Sequence, residues 1–330
     1  MSLKTKKLSY GFAINEALSQ MMEIDNSVFV LGQGVKSPWY VGSTCTGLLE
    51  RFGPERIIDT PVSENAITGA AVGASIAGMR AVVIHPRMDF MFYAFDPIIN
   101  QAANWHYMNG GRVSVPVVIW GIINRGGEQA AQHSQALHAL FAHIPGLKVV
   151  MPSTPYDAKG LMIAAIRDNS PVVFVDDRWL YDLEGEVPEE IYEVPIGKGN
   201  IRREGKDLTL VSVSYMAHES MIAVQELAKD DIDVEFIDLR TVKPIDQDLI
   251  FRSVMKTGRL LIVDGGWKSF GIAAEISALV SENIFEYLKA SIARLTLPDC
   301  PAPASSELEK AFYISSENII KSVKSIITRI

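Results

Sequence analysis

The chain has almost no cysteine and no long apolar run. Cys45 and Cys300 are the only cysteines among its 330 residues, which excludes a disulfide framework and a cysteine-rich metal site. The apolar run from Val113 to Asn124 is shorter than the roughly 18 residues of a membrane helix. We therefore expect no membrane association. The N-terminus lacks the apolar segment of a secretion signal, so the expected location is cytoplasmic.

Excess positive charge and a nucleotide-binding loop are also missing. The net charge is -8 and the pI is near 5.4, and the basic cluster Lys4, Lys6 and Lys7 is small, so we expect no nucleic-acid binding. No Gly-x-Gly-x-x-Gly follows the first apolar strand, which argues against a dinucleotide site. Hydrophobic residues are abundant. They make up 48% of the chain, and the mean hydropathy is +0.14. We interpret the surplus as buried subunit interfaces.

Apolar runs alternate with helical patterns along the chain, which predicts an α/β fold of two doubly wound domains with helices on both faces of parallel sheets. An acidic segment with a proline, 182–190, interrupts the alternation and indicates a linker. The predicted domains are 1–181 and 207–330, with the linker at 182–206. The predicted strands are 28–31, 81–84, 115–120, 147–150, 172–175, 208–214, 234–238, 260–263 and 291–296. The predicted helices are 10–22, 63–77, 90–108, 135–142, 156–167, 217–228, 247–255 and 271–281.

The most informative helix is headed by a glutamate. Pro61 sets the direction of the entering chain and Ser63 is expected to cap the helix, which places Glu64 in the first turn. Glycine and alanine follow at most positions, including Gly69 and Gly73, although each glycine inside a helix costs about 1 kcal/mol relative to alanine. The pattern predicts that another segment packs very close to this helix. A first-turn glutamate could also serve only to favour the helix dipole.

The sequence around this helix resembles a known family. The collinear segments that carry the likeness include Gln-His-Ser-Gln at 132–135 and Asp-Gly-Gly-Trp-Lys at 264–268, together with 52–64, 145–150, 152–160, 195–198 and 237–244. They closely resemble the beta subunit of the thiamine-diphosphate-dependent E1 component of 2-oxoacid dehydrogenases. Because the likeness spans nearly the whole chain, it is far more specific than any single motif.

The resemblance implies a transketolase-like pyrimidine-binding domain followed by a transketolase C-terminal domain. It implies that Glu64 hydrogen-bonds N1' of the cofactor's aminopyrimidine, which lets the 4'-imino group remove the C2 proton of the thiazolium. That role needs a carboxyl group that is protonated or shares its proton. Phe90 matches the aromatic residue that stacks on the pyrimidine, and Tyr93, on the same side, could line the pocket instead. His133 matches the histidine that contacts the substrate and assists proton transfer.

The chain lacks the diphosphate and Mg²⁺ signature, a Gly-Asp-Gly followed by a spaced Asn, because Val263-Asp264-Gly265-Gly266 has neither the leading glycine nor the asparagine. The resemblance therefore implies an E1 alpha subunit that holds Mg²⁺ in an alpha2-beta2 heterotetramer, and a lipoyl acyltransferase core that receives the acyl group. Relatives also carry a potassium ion. Its matching positions are Val117, Ala165, Ile166, Asp168 and Ser170, with Ser170 replacing the commoner asparagine.

Two departures from the family pattern lie at the expected cofactor pocket. Gln33 stands where most relatives carry an acid, and Pro86 stands where relatives place a larger side chain beside the cofactor. We expect a specialised substrate pocket, and the identity of the 2-oxoacid stays open. An alternative function is a two-chain thiamine-dependent transferase or lyase of specialised metabolism, which forms an acyloin or loads an acyl carrier without lipoate. A scaffold subunit without catalysis is a further alternative, but Glu64 and His133 argue against it.

Overall fold

The computed structural model describes residues 4–328 and divides the chain into two compact units. The first unit contains the residues up to Arg125 and Leu140–Ile196, and the second contains Gly126–Ala139 and the residues from Gly197 onward. The domain limits 1–181 and 207–330 stay a prediction. Within residues 4–328, no helix combines the length and the apolar character that crossing a membrane requires.

Six strands of the first unit form a parallel sheet in the order β6-β7-β5-β4-β2-β3. The strands of this unit are β1 (Thr5–Ser9), β2 (Val28–Gln33), β3 (Ile57–Thr60), β4 (Arg80–His85), β5 (Val117–Ile123), β6 (Lys148–Val150), β7 (Val172–Asp177) and β8 (Glu184–Pro188). Every residue of β5 and β7 is buried. Continuous apolar strands of this kind are expected where helices cover both faces of a parallel sheet.

The helices that follow these strands are α1 (Tyr10–Ile24), α2 (Pro38–Val41), α3 (Leu48–Phe52), α4 (Glu64–Ile76), α5 (Ala103–Met108), α6 (His138–His143) and α7 (Pro155–Arg167). The Thr154 hydroxyl accepts a hydrogen bond from the Asp157 amide at 3.1 Å and caps α7. The predicted cap of α4 is wrong in its detail. The helix does begin directly after Ser63, but the Ser63 side chain makes no capping hydrogen bond.

Two other sequence-based assignments need correction. The single helix predicted over 90–108 is a 3-10 segment (Met88–Ala94), a π-helical segment (Asp96–Ala102) and then α5. Pro97 lies in the first turn of the π segment, and a proline has no amide hydrogen for a regular helical bond. The segment predicted as a linker contains β8, which pairs with β1 in antiparallel register. No residue of β1 is buried, and β8 is buried only at Val187 and Pro188, so no apolar alternation marks the two strands.

The strand order creates a crevice at one edge of the first sheet. The chain passes from β2 to β3 on one side and then to β4 on the other side of β2. At such a reversal the loops leave the carboxyl ends of neighbouring strands in opposite directions, and ligands bind in the gap between them. Gln33 ends β2, Glu64 follows β3, and His85 ends β4. The topology therefore brings the predicted cofactor residues of this unit to one edge.

The second unit contains a five-stranded sheet in the order β14-β13-β10-β11-β9, with only β9 antiparallel. The strands of this sheet are β9 (Asn200–Arg203), β10 (Leu208–Ser212), β11 (Val234–Asp238), β13 (Leu260–Trp267) and β14 (Ala293–Leu297), and the second unit also contains the short strand β12 (Thr241–Lys243). Its helices are α8 (Tyr215–Ala228), α9 (Gln247–Thr257), α10 (Ile272–Ile284), α11 (Ser306–Phe312) and α12 (Ser316–Thr328). The predicted α/β class is confirmed.

Candidate functional site

Glu64 is the first residue of α4, and its side chain is half-buried. One turn further on, the buried Thr68 hydroxyl lies 3.1 Å from Nε2 of His85 at the end of β4. Burial lowers the pKa of His85 to about 4, so the imidazole is neutral at physiological pH and the contact is a neutral hydrogen bond. This bond fastens the start of α4 to the end of β4. The position of Glu64 is therefore set by tertiary structure as well as by the helix.

The two faces of α4 differ sharply. Its buried residues are Ile67, Thr68, Ala71, Val72 and Ser75. The opposite face is made of small residues and is exposed: Ala66, Gly69, Ala70 and Gly73. A Cβ added at Gly69 or Gly73 would meet no atom within 4 Å. The close packing that the sequence predicts is therefore not made by the described part of this chain, and the small-residue face is available to another one.

Gln33 and Pro86 lie at the same edge of the sheet as Glu64. Gln33 is half-buried at the end of β2, and Pro86 is buried directly after β4. Gly32 lets these two strands approach closely, because a Cβ at this position would lie 2.5 Å from the Ile84 carbonyl oxygen. The strand ends that carry the two predicted pocket residues are consequently held side by side.

The aromatic residues after β4 separate by exposure. Phe90 lies in the 3-10 segment and is half-buried, whereas Tyr93 is 72% exposed and Phe92 is 42% exposed. Phe92 packs on Phe95, with ring centroids 5.2 Å apart. Phe92 therefore packs on a neighbouring ring without being fully buried. Phe90 has the partial exposure that a stacking ring needs, and its role stays a prediction.

His133 belongs to the second unit, within the segment 126–139. It lies in a turn, and the helix predicted over 135–142 begins only at His138. His138 is buried, and its Nε2 lies 3.0 Å from Oδ1 of the equally buried Asp264. At the other end of the segment, the Glu128 amide donates to the Glu309 carboxylate at 3.0 Å. Both ends of the segment that carries His133 are thus fastened within the second unit.

The carboxylate of Asp264, the acidic residue of the incomplete diphosphate signature, has partners within this chain. Its Oδ1 faces His138 and also accepts a hydrogen bond from the Gly266 amide at 3.1 Å. A Cβ at Gly266 would lie 3.1 Å from the His138 ring, so the glycine leaves room for this pair. Across residues 4–328, no group of three or more His, Cys, Asp or Glu residues is arranged to hold a metal ion.

Two of the positions that match the potassium site, Ile166 and Asp168, lie beside positive side chains. Arg80 donates to the carbonyl oxygens of Ile166 at 2.8 Å and Asp168 at 3.1 Å. The Asp168 carboxylate accepts from Lys148 at 2.5 Å and from the Ser170 amide at 2.8 Å. The oxygens of two of the five positions, Ile166 and Asp168, therefore already accept hydrogen bonds within this chain. The potassium site stays a prediction.

Charged residues that the sequence analysis did not single out gather at the carboxyl ends of β4, β5 and β7. Arg125 Nε forms a buried ion pair with Asp177 at 2.8 Å. Burial raises the pKa of the neighbouring Asp176 to about 7. Arg87 follows Pro86, and Arg178 follows β7. The signal in the sequence was the pair of aspartates at the end of an apolar strand and the unusual His85-Pro86-Arg87 stretch.

Family comparisons agree with this architecture. Residues 6–183 match the model of the transketolase pyrimidine-binding domain, and residues 197–319 match that of the transketolase C-terminal domain. The chain is 47% identical over 325 residues to the beta subunit of acetoin:2,6-dichlorophenolindophenol oxidoreductase from Cupriavidus necator, covering 95% of this chain and 96% of the relative.

Two further relatives are similar over comparable lengths. The pyruvate dehydrogenase E1 component subunit beta of Rickettsia felis is 43% identical over 314 residues, covering 95% of this chain and 96% of the relative. The 2-oxoisovalerate dehydrogenase subunit beta of Bacillus subtilis is 42% identical over 314 residues, covering 94% and 96%. A solved split-gene transketolase, described as an inactive beta4 tetramer, shares the fold with a TM-score of 0.79 and 20% identity, covering 97% of this chain and 98% of the other.

Proposed function

Because the chain belongs to the transketolase-like family of 2-oxoacid dehydrogenase E1 beta subunits, we propose that it is the beta subunit of a thiamine-diphosphate-dependent E1. The complex decarboxylates a 2-oxoacid and transfers the acyl group to a lipoyl domain. The observation that carries this proposal is the place of Glu64. Glu64 is the first residue of α4, which follows β3 beside the reversal of the strand order, and this helix is held to β4 by the hydrogen bond between Thr68 and His85.

The residues at this edge suit the aminopyrimidine half of the cofactor. When bound, thiamine diphosphate supplies a carbanion at C2 and an electron sink for decarboxylation. Glu64 offers the carboxyl group that exchanges a proton with N1'. Phe90 and Pro86 offer apolar surfaces that orient the ring and exclude water, and the neutral amide of Gln33 can hydrogen-bond without adding charge. His133, in the second unit, offers an imidazole for proton transfer near neutral pH.

The remaining half of the site comes from a second polypeptide. Asp264 is engaged by His138 and the Gly266 amide, so we assign Mg²⁺ and the diphosphate to an E1 alpha subunit. Exposed apolar and small residues support such a partner, including the Gly69 and Gly73 face of α4 and the 88% exposed Tyr107. We propose an alpha2-beta2 heterotetramer that docks on a lipoyl acyltransferase core.

Bulk on the small-residue face of α4 should block assembly. Gly73→Leu is expected to leave the subunit folded, since leucine favours a helix more than glycine does and the site is open. Overpacking of a close contact costs about 1–3 kcal/mol, which weakens association with the alpha subunit about 10- to 100-fold. Co-purification and sedimentation velocity of the co-expressed chains measure the effect.

The control places a leucine at an exposed position of another helix. Ala228→Leu lies on the exposed end of α8 and should assemble like the wild type. Circular dichroism checks that both variants are folded. Normal assembly of folded Gly73→Leu would show that this face of α4 is not the interface.

Cofactor binding tests the proposed function directly. The chain alone should bind thiamine diphosphate with Mg²⁺ only weakly, because it lacks the diphosphate half, whereas the complex with the alpha subunit should bind it tightly. Calorimetry on both samples measures this difference. Micromolar or better affinity for the chain alone would contradict the two-chain site.

A substrate screen follows on the same complex. We expect 2-oxoacids to drive reduction of an artificial electron acceptor, and acetoin is tested beside them because of the 47% identical acetoin oxidoreductase subunit. Transfer to a lipoyl domain distinguishes the E1 from the alternative transferase or lyase, which would give acyloin or acyl product without lipoate. A complex that binds the cofactor but turns over no 2-oxoacid would refute the E1 assignment.

A further inference from the structure

We infer that Arg87 and Arg178 form a subsite for a second anionic group of the substrate, a carboxylate or a phosphoryl group in addition to the 2-oxoacid carboxylate. The inference rests on the proposed function, because it names the substrate class of the same site. Both arginines belong to the first unit and follow the carboxyl ends of parallel strands, Arg87 after β4 and Arg178 after β7.

Arg87 is held in place but its charge is not neutralised by a direct partner. Its Nη1 donates to the Pro86 carbonyl oxygen at 2.8 Å, which fixes the guanidinium beside the strand end. Its Nε is buried without a hydrogen-bond partner, and the side chain forms no ion pair with any residue of the described range 4–328. A buried N–H donor without a partner lowers the stability of the fold. An anion that accepts a hydrogen bond from Nε would remove this cost.

Arg178 directly follows β7 and contacts two tyrosines of the first unit. Its Nη2 donates to the Tyr40 carbonyl oxygen, and its guanidinium lies 5.2 Å from the centroid of the Tyr181 ring. The Tyr40 ring in turn lies against the chain after β2, since a Cβ at Gly34 would be 2.7 Å from it. Gly34 directly follows Gln33, so this cluster adjoins the strand end that carries the predicted cofactor residue.

The two arginines follow strands of the same sheet, with β5 between those strands, and their positive charges oppose each other. Burial and then the positive charge of Arg178 lower the pKa of Arg87, while Asp89, Tyr40 and Tyr181 act in the opposite direction. Mutual repulsion inside a partly buried cluster opposes folding unless a negative charge is present. The structure keeps the two cations together despite this repulsion.

Carboxyl groups belong to the same cluster. The charge of Asp89 raises the pKa of Arg87, and burial raises the pKa of Asp176 to about 7. Asp177 forms an ion pair with Arg125 at 2.8 Å. Guanidinium groups bind carboxylates and phosphates through paired hydrogen bonds, so the buried Nε donor of Arg87 suits such an anion.

The activity test compares substrates of matched length on the cofactor-loaded heteromer. The substrates are 2-oxoglutarate, which has a second carboxylate, 2-oxovalerate, which has none, and 3-phosphohydroxypyruvate for a phosphoryl group. The wild type should prefer at least one dianionic substrate over 2-oxovalerate in kcat/KM. Arg87→Ala should reduce that preference about 10- to 100-fold, the worth of a charge-assisted hydrogen bond, mainly through KM. Arg87→Lys should restore part of it.

Binding gives a second readout that does not depend on turnover. Glutarate and phosphoglycolate, titrated into the complex by calorimetry, should bind more weakly to Arg87→Ala than to the wild type, and the stronger of the two identifies the anionic group. The control Arg112→Ala removes an exposed arginine of the first unit and should behave as the wild type.

The outcomes separate this inference from the proposed function. Absence of preference for either dianionic substrate in the wild type, together with absence of glutarate and phosphoglycolate binding, would overturn the subsite. An equal loss of kcat/KM for 2-oxovalerate and 2-oxoglutarate in Arg87→Ala would also overturn it, since that pattern marks a structural role. Failure of the proposed function would instead appear as absence of C2 hydrogen exchange in the wild-type complex, whatever anions bind.

Discussion

Glu64→Gln in the assembled heteromer is expected to slow the C2 hydrogen–deuterium exchange of bound thiamine diphosphate by about 10²- to 10⁴-fold, the usual effect of losing one positioned proton-transfer group. Glutamine keeps the shape and can still hydrogen-bond N1', but it has no exchangeable acid. NMR-monitored exchange after rapid acid quench measures the rate. Turnover of the 2-oxoacid should fall with it, because proton removal from C2 precedes attack on the substrate.

The substitution should leave the fold intact. Glu64 is half-buried in the first turn of α4, where loss of a negative charge near the helix N-terminus costs about 0.3–1 kcal/mol. The bond between Thr68 and His85 at 3.1 Å remains and keeps the start of the helix in place. Glu50→Gln, on the exposed side of α3, is the matched control. Unchanged exchange in a folded, assembled Glu64→Gln complex would remove Glu64 from the mechanism.

His133→Ala should have the opposite signature. Cofactor binding and C2 exchange should stay close to the wild type, because neither step uses the imidazole, while turnover of the 2-oxoacid or delivery of its acyl group should fall about 10²- to 10⁴-fold. Stopped-flow measurements on the variant heteromer separate decarboxylation from acyl transfer. His143→Ala, at the exposed end of α6, is the control for removal of a nearby histidine.

The two contacts that hold the ends of the segment 126–139 do not involve the His133 side chain, so the substitution is not expected to displace this segment. The segment 126–139 is held within the second unit by the pair of His138 with Asp264 at 3.0 Å and by the Glu128 amide on Glu309 at 3.0 Å, and His133 contributes to neither contact. A collapse of C2 exchange in a folded His133→Ala complex would assign this histidine to cofactor activation. Unaffected turnover would assign it a structural role.

Regular elements with strong local signals were predictable. The α/β class, the buried strands and the position of Glu64 at the start of α4 agree with the structure, because apolar runs and helical periodicity report local burial directly. The short polar strands β1 and β8 were missed. Their lysines and glutamates are exposed and form surface ion pairs such as Lys7 with Glu184, so nothing in their composition separates them from a linker.

Departures from regularity were harder to predict. The chain from Met88 to Met108 has helical periodicity, but Pro97 cannot donate a helical hydrogen bond, and the structure resolves the segment into 3-10, π and α turns. Which of the nearby aromatic residues is exposed depends on these turns. Helical periodicity alone therefore does not reveal that Phe92 is 42% exposed.

By itself, the sequence determined the fold class, the family and the choice of Glu64 and His133 as candidate site residues, since these depend on local pattern and on collinear likeness. Only the tertiary structure decided that the small-residue face of α4 is uncovered and that Arg87 and Arg178 share one edge. Arg87 and Arg178 follow strands that lie far apart in the chain but near each other in the sheet. Strand order and register place such side chains together, and neither can be read from the spacing of residues along the chain.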